Sequence, residues 1–106
     1  QILNKRVKNK IITFLGVTVK ANTAAMRDSS SLTMIPKLSK KGALIKYFDP
    51  TGCKKELSKI KNVSYANSVK KSLEGADRVI IHTEWNDFKS INFKNLVNGK
   101  KFIIPL

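Results

Sequence analysis

Lys20 and Arg27 bracket a polar stretch that leads from the apolar run Ile11 to Gly16 into a segment whose apolar residues recur at helical spacing. Two cations beside a helix start, acting together with the helix dipole, can hold a phosphate. In a chain this rich in lysine they can also be ordinary solvated charges. Cys53 precedes Lys54 and Lys55, neighbours of the kind that activate a thiol. A cysteine nucleophile needs a paired base, and none lies near it in the sequence, so Cys53 reads as a turn residue. His82 follows an apolar run and, with no partner to name, reads as packed or hydrogen-bonded rather than catalytic. Asp49 ends a second apolar run, where a ribose-binding acid would sit, but Asp49-Pro50-Thr51-Gly52 has the composition of a turn. Trp85 reads as a core or interface anchor. One cysteine and one histidine cannot assemble a tetrahedral metal site, so no metal is expected. No residue is assigned a catalytic role.

The elements that must position these groups alternate in type. Ile11-Ile12-Thr13-Phe14-Leu15 is β-branched and aromatic up to Gly16, as in a strand buried on both faces. Asp28 or Ser29 can cap a helix carrying Leu32, Ile35 and Leu38, ended by Gly42, with a kink or break at Pro36. Ala43 to Phe48 reads as a second strand, Lys54 to Lys61 as a basic helical segment and Val63 to Tyr65 as a short strand. Ser68 to Leu73 reads as a helix stopped by Gly75, and Arg78 to Ile81 as a buried strand. Trp85 to Val97 suits a short helix pair, and Phe102-Ile103-Ile104 makes the last strand. Such alternation demands parallel pairing with right-handed crossovers. The expected fold is a small Rossmann-like three-layer α/β domain with a parallel sheet of about five strands in the order 3-2-1-4-5. Residues 1–9 read as a basic linker or the end of a preceding helix, and 10–106 as the domain. That strand order puts a topological switch after the first strand and the strand at Arg78, so the loops Lys20 to Arg27 and His82 to Trp85 should face each other. A dinucleotide cradle needs Gly-x-Gly-x-x-Gly after the first strand, and Gly16-Val17-Thr18-Val19-Lys20 has one glycine.

At this loop a family pattern emerges. Residues 16–36, GVTVKANTAAMRDSSSLTMIP, resemble a signature of the C-terminal domain of the UDP-glucose/GDP-mannose dehydrogenase family, Gly-Leu-x-Phe-Lys-x-Asn-Thr-Asp-Asp-x-Arg with a Ser-rich helix start. Lys41-Gly42-Ala43 through Tyr47-Phe48-Asp49-Pro50 is similar to that family's second strand, and Leu73 to Ala76 through Thr83-Glu84-Trp85 to its fourth. The likeness spans about residues 8–104, and Met-Arg-Asp with Thr-Glu-Trp points to the UDP-glucose 6-dehydrogenase branch. It implies an NAD-dependent oxidation of a sugar C6 alcohol to a carboxylate through a cysteine-bound intermediate, with this chain closing over the UDP end of a UDP-sugar. N-terminal domains of the parent protein would hold NAD and supply the cysteine, leaving this piece inactive alone, and the parent would be a homo-oligomer. The resemblance puts the family's substrate-contacting lysine at Lys20 and its NAD-directed arginine at Arg27. Three departures stand out: Val19 replaces the aromatic, Ala24-Ala25 replaces the acidic pair, and the chain ends Ile104-Pro105-Leu106. Without the acidic pair, Lys20 and Arg27 lack local counter-charges.

Composition bounds the rest. In 106 residues, 21 Lys and Arg face 7 Asp and Glu, a net charge of +14, while 42% hydrophobic residues suffice for one core. The apolar run from Ile11 to Val19 falls short of the ~20 residues that span a bilayer. A lone cysteine points to a reducing cytoplasm, and Gln1 in place of a start methionine to a piece of something longer. Two rival readings remain, an inert remnant of a split or decaying dehydrogenase gene and a basic nucleic-acid-binding module. Specific nucleic-acid binding is not expected, because the cations are lysine pairs scattered through every element and the aromatics lie in apolar runs rather than among them. Any DNA affinity should therefore vanish at about 0.15 M salt, where charges are screened within about 8 Å. Fluorescence anisotropy checks this; a sub-micromolar, sequence-dependent complex at that salt would promote the nucleic-acid reading.

Overall fold

The computed structural model describes residues 8–18, 26, 27, 29–83 and 85, and the backbone of 102–105. Five strands pair in parallel: β1 (Ile11–Leu15), β2 (Leu44–Phe48), β3 (Val63–Tyr65), β4 (Arg78–Ile81) and β5 (Phe102–Pro105), in the spatial order β3-β2-β1-β4-β5. The expected topology is thus the observed one. β1 lies at the centre, with Ile12 opposite Ile45 of β2 and Arg78 of β4. Four of its five residues are buried, as a central parallel strand covered on both faces requires.

Alternation along the strands separates two apolar layers. Ile12 and Phe14 of β1, Ile45 and Tyr47 of β2 and Ile80 of β4 face the layer formed with α1 (Ser31–Lys40) and α2 (Lys55–Ser58). Leu15 and Val79 face the other way, against Leu73 of α3 (Val69–Leu73), Ala76 and Trp85. Within that second layer Thr13 is fully buried, and its hydroxyl donates to the carbonyl of Ser72. Each large apolar side chain withdrawn from water contributes about 1.5–3 kcal/mol, so these layers supply the main driving force.

Helix α1 begins one residue later than the sequence suggests. Its cap position is Ser30, not Ser29, and the Ser30 side chain makes no capping bond; Asp28 lies outside the described residues. Pro36 neither breaks nor ends the helix, which runs through it for ten residues. The end at Gly42 is as expected, with a physical cause. Ala43 N donates to Leu38 O (3.2 Å) and Gly42 N to Ser39 O (3.0 Å), a pairing that needs the left-handed backbone Gly42 supplies at φ +91°. β2 then starts at Leu44 rather than Ala43. At α3 the expected cap is present, Ser68 accepting from Lys71 N at 3.1 Å. The helix pair expected at Trp85 to Val97 lies outside the described residues except for Trp85, as do residues 1–7. No helix among the described residues is long and apolar enough to cross a membrane.

Gly16, directly after β1, has φ +82°, and a Cβ built there would lie 2.6 Å from Thr83 Cβ and 3.0 Å from Thr83 O. Gly52 has φ +96° but open space around it. Gly16→Ala should therefore cost about 3 kcal/mol or more, combining backbone strain with overpacking, while Gly52→Ala should cost about 1 kcal/mol from backbone strain alone. Urea denaturation of both variants checks the order; equal losses would refute the packing argument.

Candidate functional site

At the switch point the crossovers from β1 and β4 leave in opposite directions, and a crevice opens between the segments that follow them. The carbonyl of Leu15, at the end of β1, accepts from His82 N (3.0 Å) and Thr83 N (3.3 Å) beyond β4. Thr83 is buried, its side chain stands against Gly16, and its hydroxyl donates to Thr18 O at 2.8 Å. The two segments thus face each other as the topology predicts.

The serine run divides by face. Ser29 and Ser31 are buried, and both hydroxyls donate to the carbonyl of Val17, at 2.6 and 2.7 Å. These bonds tie the start of α1 to the segment after β1 and satisfy a carbonyl that would otherwise be buried without a partner. Ser30 between them is exposed, and its Oγ lies 2.7 Å from His82 Nε2. His82 Nδ1 lies 3.1 Å from Thr83 Oγ1. A continuous polar chain therefore crosses the crevice from Ser30 through His82 and Thr83 to Thr18.

His82 is hydrogen-bonded, as the sequence suggested, and its ring lies 6.2 Å from that of Phe14. Burial lowers its pKa below the usual histidine value, partly offset by the carboxylate of Asp49. The pairing with Ser30 was missed. Its only sequence signal was the placement of the two loops at the switch point, because the residues are 52 positions apart.

Asp49 serves the turn rather than a ribose. It is buried, Oδ2 accepts from Val17 N at 2.8 Å, and Oδ1 accepts from Thr51 N at 2.9 Å and from the Thr51 hydroxyl. Cys53 is an exposed free thiol whose sulfur accepts from Tyr47 Oη at 3.4 Å, and no base adjoins it. Burial, then the Cys53 contact, raises the Tyr47 phenol well above its ordinary range. Trp85 packs with Leu15, Leu73 and Val79, and its Nε1 has no hydrogen-bond partner among the described residues. Arg27 is exposed in the turn before α1, while Lys20 lies outside the described residues, so the two predicted site cations are not seen together. No group of three His, Cys, Asp or Glu that could hold a metal occurs among the described residues. Nor does Gly16 fit a dinucleotide, for Thr83 fills the space a pyrophosphate would need.

Residues 13–106 match the family model described as the UDP-glucose/GDP-mannose dehydrogenase family, UDP binding domain. The chain belongs to that family. It is 36% identical over 108 residues to a UDP-glucose 6-dehydrogenase of Rickettsia felis, covering 99% of this chain and 24% of the relative. Among solved structures, a UDP-glucose dehydrogenase from Pyrobaculum islandicum superimposes with a TM-score of 0.78 over 93% of this chain and 22% of its own, at 22% identity. A UDP-D-ManNAc dehydrogenase from Pyrococcus horikoshii gives 0.73 over 96% of this chain and 22% of its own, at 25% identity. The family domain therefore spans less than a quarter of the length of these relatives, and its fold is theirs.

The lowered His82 pKa sets the sign of a pH effect. The unfolded chain takes up its histidine proton first, so stability falls as pH drops from 7 through about 6.5 towards the folded value. Urea midpoints across that range should decline for the native sequence and stay flat for His82→Gln; parallel profiles would overturn the assignment.

Proposed function

We propose that this domain holds the UDP end of a UDP-sugar for an NAD-dependent UDP-glucose 6-dehydrogenase and does no chemistry alone. The reading rests on the match of residues 13–106 to a UDP binding domain. A crevice at the switch point of a parallel sheet, where such sheets take their ligands, supports it. NAD would accept hydride from the sugar C6 alcohol, and because Gly16 is packed by Thr83 the cofactor's main binding surface belongs to domains beyond this chain. Those domains would also supply the cysteine nucleophile. In this arrangement Lys20 contacts the substrate and Arg27 reaches across the cleft towards NAD. The domain is taken to comprise residues 10–106, with 1–9 leading into it, and the parent enzyme to be a cytoplasmic homo-oligomer.

Two outcomes are expected. The isolated chain, given UDP-glucose and NAD, forms no reduced nicotinamide; sustained turnover by pure protein would refute the division of labour. UDP binds weakly, with a dissociation constant of order millimolar or worse, because only part of the contact surface is present to offset lost translational freedom. Its NMR shift changes should cluster at Thr18, Ser30, His82 and Thr83 and weaken in Lys20→Ala. Changes elsewhere would refute the site, and none at about 10 mM UDP would favour the inert-remnant reading.

A further inference from the structure

The polar chain across the crevice has a direction. Thr83 Oγ1 gives its hydrogen to Thr18 O at 2.8 Å, so towards His82 it can only accept. His82 Nδ1 therefore carries a proton in both ring states, and the tautomer follows from the network. Nε2 is the atom that gains or loses one. With the ring neutral, Nε2 accepts the hydroxyl of Ser30 at 2.7 Å. A protonated Nε2 would instead donate to Ser30 Oγ, which frees the Ser30 hydrogen for another acceptor. Ser30 is exposed at the start of α1, whereas Ser29 and Ser31 are committed to Val17 O. It is thus the serine of the run able to meet a ligand.

We propose that Ser30 and His82 make diphosphate binding in this crevice proton-linked: a diphosphate oxygen of the UDP-sugar accepts the Ser30 hydroxyl, while His82 Nε2 takes a proton from solvent and donates to Ser30 Oγ. The inference rests on the crevice being the UDP site. The groups packed around the ring favour such a two-state response. Phe14 of β1 is apolar, Ser30 and Thr83 are neutral, and Asp49 at the end of β2 places a carboxylate where it favours a charged ring. Arg27, in the turn before α1, is exposed to solvent. Burial keeps the ring neutral while the crevice is empty, and an anion beside Ser30 supplies the missing counter-charge.

His82 is the chain's one histidine, so its ring signal is unambiguous by NMR. Its titration is followed with and without saturating UDP-glucose, whose phosphodiesters do not titrate across the histidine range of about pH 5 to 8. The midpoint should rise by about one unit in the complex, equivalent to about tenfold tighter binding by the protonated chain. Ser30→Ala should abolish the rise, and in His82→Gln the affinity should no longer change with pH. An unmoved midpoint, with amide shifts at Thr18, Ser30 and Thr83, would overturn the proton linkage and leave the UDP site standing. Amide shifts confined to other parts of the domain would overturn the site and the linkage together. An equal rise with sodium sulfate at matched ionic strength would overturn the diphosphate assignment.

Discussion

The carbonyl of Leu15 and the bare backbone of Gly16 form the point from which the functional end of this domain is organised. Parallel strands cannot be joined by tight turns, so the chain leaves β1 in one direction and β4 in the other. The two exits stay in contact because Leu15 O accepts both His82 N and Thr83 N, and because Gly16 leaves room for the Thr83 side chain. That contact brings Thr83 Oγ1 to Thr18 O and the His82 ring to the start of α1. The position of α1 is fixed in turn by Ser29 and Ser31 on Val17 O, which sets its buried Ile35 and Leu38 against the sheet.

A glycine after the first strand serves a different purpose here from the one it has in a dinucleotide cradle. In both cases the missing Cβ permits a close approach. In this domain the approaching group is the chain's own Thr83, so the space is already filled by protein. The polar groups left to face a ligand are then side chains, chiefly Ser30 and His82, not a bare backbone turn. This follows from burial as much as from chemistry. A buried hydroxyl must be paired within the protein, and Ser29, Ser31, Thr83 and Asp49 are all so used. A domain that covers only 24% of a relative's length meets the sugar nucleotide with a few exposed donors and a positive field, and full complementarity belongs to the larger assembly.

The architecture was readable from residue types. β-branched runs bounded by Gly16, Gly42 and Gly75 marked the strands and helix ends, since only glycine takes the left-handed backbone at those stops without strain. The alternation of elements then left one sheet order, and it is the observed one. The start of α1 was placed one residue early, because a serine run offers several equivalent caps and its register depends on which hydroxyls reach Val17 O. The family resemblance likewise followed from the sequence, carried by motifs around Lys20, Asp49 and Trp85.

What the sequence determined by itself was local and periodic: where strands and helices form, which face of each is apolar, and the charge that surrounds them. What only the tertiary structure decided was which polar side chains meet. Ser30 and His82 lie 52 residues apart, and nothing within hydrogen-bonding reach of either along the chain marks them as partners. Their contact exists because backbone hydrogen bonds seat the segment after β4 on the end of β1 while hydroxyls anchor α1 beside it. Asp49 was settled in the same way: its sequence neighbours suggested a turn, but Val17 N, 32 residues away, completes its hydrogen bonding. Such pairings depend on distances set by the whole sheet, and a hydrogen bond holds its strength only over a few tenths of an ångström, so a sequence pattern alone does not specify them.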